Sequence, residues 1–159
     1  CIFVYNFENL SEIIMKAIQE LLRKEKYKKI NFKVSKTQHL LIKAIINGVK
    51  GNFILDTGAS NSCVGFESIE KFQLTTEKSA TQAAGAGATG MFTQLSTQNY
   101  LQLGSWKEAD FSLVVFDLTH VNMALTQHKA KPVDGIIGAD VLLQGKAIVD
   151  YYNHCLYLK

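Results

Sequence analysis

Phe53-Ile54-Leu55 runs without a polar break into Asp56-Thr57-Gly58-Ala59-Ser60. Three such apolar residues read as a buried strand, and Thr-Gly directly after the aspartate turns the backbone. A carboxylate at a strand end, with glycine two residues on, is held on rigid backbone at the rim of a cavity. Ahead of it, Leu40, Ile42, Ala44 and Ile46 form an alternating run that stops at Asn47-Gly48. Asn-Gly between two alternating runs specifies a hairpin, so the aspartate ends the return strand of one. Taken alone, Asp-Thr-Gly is also an ordinary turn sequence.

A second stretch changes its weight: Val133-Asp134-Gly135-Ile136-Ile137-Gly138-Ala139-Asp140-Val141-Leu142. Two aliphatic residues and a glycine end a strand there, and a short helix follows, with Asp140 as its expected cap and Gly145 as its end. In this order, the two stretches resemble the active-site loop and the later strand–glycine–helix element of the retropepsin-like aspartic proteases. The resemblance implies a mainly-β acid protease fold, a closed barrel-like single lobe. It implies that Asp56 is catalytic, within an active-site loop of Thr57, Gly58, Ala59 and Ser60. Thr57 would hydrogen-bond across a dimer axis, Gly58 would let two loops pack closely, and Ala59 matches the retroviral-type motif. By position, Gly85, Ala86 and Gly87 fall where this family has its substrate-binding flap.

Hydrolysis by carboxylates alone needs two of them sharing a proton. The chain holds one Asp-Thr-Gly, and Asp134-Gly135 lacks the intervening Thr or Ser. The expected enzyme is therefore a homodimer that contributes one Asp56 per subunit and cleaves an extended peptide without metal or cofactor. The alternative is a catalytically silent peptide-binding or dimerisation module on the same fold.

Competing chemistries fail on context. Gly85-Ala86-Gly87-Ala88-Thr89-Gly90 satisfies the dinucleotide-binding spacing, but polar residues precede it and a strand-like run, Phe92 to Leu103, follows it. That fingerprint requires a strand before and a helix after. Ser60 and Ser62 lack the Gly-x-Ser-x-Gly elbow, and Cys63 reads as a buried structural thiol. The histidines show no ligand pairing, and no P-loop or zinc spacing is present.

With 159 residues, 47% apolar and 19% charged, the chain suits one globular domain. Residues 1–29 read as a helical extension and 30–159 as the protease domain. The helix, expected over 9–28, places Ile13, Ile14, Ala17, Ile18, Leu21 and Leu22 on one face, to be buried on its own domain or on a partner, with packing within the same chain the expectation. From Ile30 the period becomes two through Phe32 and Val34, as in a half-buried strand. Ala147 to Asp150 and Cys155 to Leu158 read as a terminal ribbon turning at Asn153. A net charge of +3, gathered in residues 23–29, reads as a solvated helix end, not a nucleic-acid site, and no apolar run is long enough to span a membrane. Cys1, Cys63 and Cys155 cannot all pair internally, which favours a cytoplasmic setting. A periplasmic or lipid-anchored one, with Cys1 as a lipoprotein cysteine, stays open.

Overall fold

The computed structural model describes residues 7–78, 83–85 and 88–159. Helix α1 (Phe7–Lys24) stops short of the expected residue 28, and strand β1 (Lys28–Asn31) follows almost at once. The stop is a backbone device. Lys26 takes a left-handed φ of 66°, its N–H donates to Arg23 O, and Tyr27 N–H donates to Leu22 O. This is a Schellman turn with lysine where glycine is usual, so the sequence carried no stop signal. The helix also corrects the expected packing. Among its described residues only Leu22 is buried, against Cys155, Tyr157 and Tyr27, while Ile13, Ile14, Ala17, Ile18 and Leu21 face solvent.

The expected strand through Ile30, Phe32 and Val34 is two strands. β1 joins one sheet and β2 (Lys33–Val34) another, with Phe32 between them donating its N–H to His154 O. Ile30 and Phe32 are both buried, so the alternation was real, but the two strands have different partners. The hairpin of β3 (Leu40–Ile46) and β4 (Val49–Leu55) has the expected register, Ile46 against Val49 through Leu40 against Leu55. Asn47 and Gly48 both take positive φ, 49° and 84°, as a two-residue turn matched to strand twist requires.

The chain continues through β5 (Cys63–Gly65), a short 3-10 turn, β6 (Glu77–Lys78), β7 (Ala83–Gly85), β8 (Ala88–Met91), β9 (Gln94–Leu103) and β10 (Trp106–Phe116). Helix α2 (Thr119–Gln127), β11 (Gly135–Ile137), α3 (Ala139–Gln144), β12 (Ile148–Asp150) and β13 (Cys155–Leu158) complete it. Strands pair in the order β3-β4-β11-β5-β10-β9, and β9 pairs back onto β3, which closes a six-stranded barrel. The domain is thus mainly β, with a closed barrel and an N-terminal helix. Phe53, Phe72, Leu101, Leu103, Leu113, Val115 and Ile137 fill the core at full burial.

A second sheet, β1-β13-β12, lies against that core through Leu156 and Leu158. Its other face carries Cys155 and Tyr157, where α1 is footed through Leu22. Helix α2 had no counterpart in the sequence reading. Asp117 accepts the N–H of Thr119 at its start, and Leu125 packs with Ile54 and Val133 beneath the return strand of the hairpin. No described helix is long and apolar enough to cross a membrane.

Candidate active site

β4 leaves the sheet at Leu55, and Asp56 is the first residue beyond it. β4 and β5, the strands joined by the Asp56 loop, are not neighbours. β11 lies between them, parallel to β4 (Ile137 beside Leu55) and antiparallel to β5 (Ile136 beside Cys63). The loop must therefore cross the end of β11, and backbone contacts to the last residue of β11 and to the segment after it hold it there. Asp56 N–H donates to Ile137 O at 3.0 Å, and Ala139 N–H donates to Ala59 O at 2.7 Å. Gly135 fits this three-strand packing because a Cβ would collide with Cys63 O and the Phe53 ring.

The far end of the loop is tied more firmly. Ser62, fully buried, donates its N–H and its hydroxyl to the Asp140 carboxylate at 2.8 and 2.7 Å, and accepts Gly138 N–H at 2.9 Å. Asp140 also accepts Val141 N–H. This corrects the expected role of Asp140. Gly138 is the N-cap of α3, without a side-chain bond, and the aspartate, two residues further on, points back to the loop. A Cβ on Gly138 would stand 2.7 Å from Ala59 O and 2.8 Å from Asn61 C, so only glycine lets the two segments meet. Ser62, Gly138 and Asp140 were missed as a unit. Their one trace in the sequence is an aspartate set in an otherwise apolar run.

Within the loop, Asp56 Oδ1 accepts Gly58 N–H at 2.8 Å, which fixes the carboxylate's rotation. Asp56, Thr57, Gly58 and Ser60 are exposed, and Ala59 is half-buried. Asp134 stands elsewhere. It bonds Asn52 N–H at 2.8 Å and pairs with Lys71 at 2.6 Å. Asn52 lies four positions before Asp56, roughly 13 Å along the strand direction, so the two carboxylates do not form a pair. Cys63, buried under the loop, has its thiol pushed up to about 12, by burial first and then by the charges of Asp140 and Asp56. It stays a neutral thiol and is no nucleophile.

Of the residues expected in a flap, Gly85 ends β7 and pairs with Ala88 of β8 in a separate two-stranded ribbon. Ala86 and Gly87 lie outside the described residues. Just beyond the ribbon, the exposed Phe92 ring stacks on Phe66 at 5.9 Å, which ties the ribbon's base to the barrel near β5.

Three solved structures share the fold. A retropepsin-like aspartic protease from Rickettsia conorii aligns at a TM-score of 0.56 and 18% identity, over 83% of this chain and 90% of its own. EIAV protease, complexed with the inhibitor HBY-793, gives 0.52 and 18%, over 70% and 91%. The retroviral protease-like domain of Ddi1 from Leishmania major gives 0.50 and 19%, over 76% and 88%. No curated protein sequence matches the chain. A family model described as aspartyl protease matches residues 42–141, from within the hairpin before Asp56 to the helix that clamps its loop. The chain belongs to the aspartyl protease family, on a retropepsin-like fold.

Proposed function

We propose that this chain is a homodimeric aspartic endopeptidase whose reacting groups are the Asp56 carboxylates of two copies. The observation that carries the reading is a single Asp56, exposed at the end of a barrel strand, in a loop clamped at both ends by the end of β11 and the segment after it. One carboxylate fixed in this way is half of a site. A second copy related by a two-fold axis supplies the other half.

Two carboxylates brought to hydrogen-bond distance cannot both ionise easily, so the pair holds one proton. The ionised Asp56 takes a proton from a water as its oxygen attacks the scissile carbonyl, while the protonated one donates to the carbonyl oxygen. Collapse of the resulting diol then passes a proton to the leaving nitrogen and returns the pair to its starting state. Gly58 keeps the loop slim enough for its mate, and Thr57, Ala59 and Ser60 line the approach. Gly85, Ala86 and Gly87 form the flap, whose backbone amides meet an extended peptide.

The second sheet offers a seam for the dimer. β12 is one of its two edges, and Leu143, Ile148, Tyr151 and Tyr152 beside it are exposed apolar residues one short helix away from the loop. An unpaired edge flanked by apolar side chains is a template for another strand.

The test is cleavage of a mixed peptide library from about pH 4 to about pH 8, at several protein concentrations, wild type beside Asp56→Asn. Activity that rises faster than linearly with protein and vanishes in the variant is the expected result. Wild-type cleavage by Asp56→Asn would sink the assignment, and peptide binding without cleavage in either protein would leave a binding module.

A further inference from the structure

Leu10, Ile13, Ile14, Ile18 and Leu21 of α1 are between 42% and 59% exposed, and Ala17 among them is uncovered too. Six apolar residues on one helix face, left to water, mark a surface that another body covers. Three observations select which body.

The first is symmetry. The spacing of Leu10, Ile13, Ile14, Ala17, Ile18 and Leu21, alternately three and one, reads the same in both directions. Laid antiparallel on itself, it sets Leu10 opposite Leu21, Ile13 opposite Ile18 and Ile14 opposite Ala17, so every apolar residue meets another. An isologous contact requires this self-complementarity. The positions also follow the four-three spacing of a two-helix seam.

The second is charge. Glu12 lies near the start of the helix, and Arg23 and Lys24 form its last turn. Antiparallel pairing in this register sets Glu12 opposite Gln19 and keeps the two basic ends apart, whereas parallel pairing stacks Glu12 on Glu12 and the basic ends on each other. Between these ends the polar face alternates, Lys16 with Glu20, and gives no uniform positive surface for an anionic lipid.

The third is placement. Leu22 rests on Tyr157, and the cross-strand neighbour of Tyr157 is Ile148, on the edge strand β12. Cross-strand neighbours share a face, so apolar surface runs from the foot of α1 to the proposed seam. If two β12 edges meet there, the two β13 strands lie roughly 14 Å apart, three strand spacings. Paired helices sit about 8–10 Å apart, so helices that lean toward the axis from either β13 are within reach of each other.

We infer that α1 pairs antiparallel with α1 of a second copy, forming a two-helix clasp across the axis that brings the two Asp56 loops together. The inference rests on the homodimer of the proposed function, and gives the extension a task. It supplies association strength away from the cleft.

Sedimentation equilibrium of the full chain, wild type beside Ile14→Glu, tests it. Ile14 is on the surface of the single chain, so the substitution leaves the protomer fold intact, which its melting curve checks. Dimer dissociation is expected to rise by at least about 100-fold, because two carboxylates enter the middle of the seam. Cleavage per dimer recovers at high protein concentration. In a Cys1→Ser background, mixing Leu10→Cys protein with Leu21→Cys protein should give the mixed disulfide, and neither protein alone should cross-link. Unchanged dimerisation of Ile14→Glu overturns the clasp, as does cross-linking of Leu10→Cys with itself. A variant that loses only co-sedimentation with phosphatidylglycerol vesicles overturns it in favour of a lipid surface. If Ile14→Glu dissociates a wild-type dimer that never cleaves peptide, the clasp stands and the protease reading fails.

Discussion

Asp140→Ala isolates the clamp on the Asp56 loop. The carboxylate accepts three hydrogen bonds, two from Ser62 and one from Val141 N–H. Ser62 is fully buried, so its N–H loses its partner and its hydroxyl keeps only the bond it accepts from Gly138. A buried donor left unsatisfied costs about 1–3 kcal/mol. Asp140 itself is half-buried, so water reaches part of the gap, and the expected total is about 2–4 kcal/mol. For a chain of this length, that lowers Tm by roughly 6–12 °C. Asp140→Asn can keep the oxygen that bonds the Ser62 hydroxyl and Val141, but turns an amide donor on Ser62 N–H, so it should lose about half as much. The assay is urea unfolding at one fixed protein concentration, because association makes stability concentration-dependent. Ser62→Ala completes a double-mutant cycle, and the two single losses should sum to well above the loss in the double variant. The reasoning fails if Asp140→Ala lies within about 0.5 kcal/mol of wild type, or if the two losses simply add. Cleavage should fall with the clamp, because the loop that aims Asp56 has lost its anchor.

Other outcomes follow from the same geometry. Gly138→Ala, with a Cβ driven 2.7 Å from Ala59 O, should displace the loop, cost roughly 2 kcal/mol or more in urea unfolding, and lower kcat more than KM. In a Cys1→Ser background, native protein should resist iodoacetamide at Cys63 at about pH 8 and react fully once unfolded. Burial raises the Cys63 pKa to about 12 from 9.0, so its neutral form stabilises the fold below about pH 9. That contribution is lost as pH rises from 9 toward 12, and Cys63→Ala should flatten the loss. Leu22→Ala removes the one buried foot among the described residues of α1 and should free the helix, lowering its amide-exchange protection while the barrel melts within a few degrees of wild type.

The hairpin before Asp56 was legible because its signals are local. Alternation in β3 and Asn47-Gly48 lie within a few residues of each other, and the turn chemistry permits one register. The Asp56 loop and the strand–glycine–helix element were legible as motifs, yet the reason they belong together was not. β11 separates two strands that are joined in sequence, and the Ser62–Asp140 bond spans 78 positions. Asp140 looked like a cap because a cap is what local reasoning finds at a helix start. The end of α1 was hidden by lysine in a position that glycine usually takes. Phe32 hid a change of sheet, since burial alternates in the same way whichever partner a strand takes. Packing of α1 was misread for a different reason. An apolar stripe states that something covers the face, not that the cover is the same chain.

The placement of β11 between β4 and β5 also bears on when, during synthesis, the Asp56 loop can take its shape. A growing chain carries Asp56 early, but its loop has no scaffold until residues 135–140 emerge and insert between strands already made. Insertion of a late strand between early ones is a long-range step and a slow one. Until it occurs, the carboxylate is unaimed and the hairpin lacks its parallel neighbour. A chain cut short before α3 thus carries Asp56 on a loop without its anchors at Gly138, Ala139 and Asp140. The topology works as a timer that leaves the Asp56 loop unformed until residues 135–140 have been made.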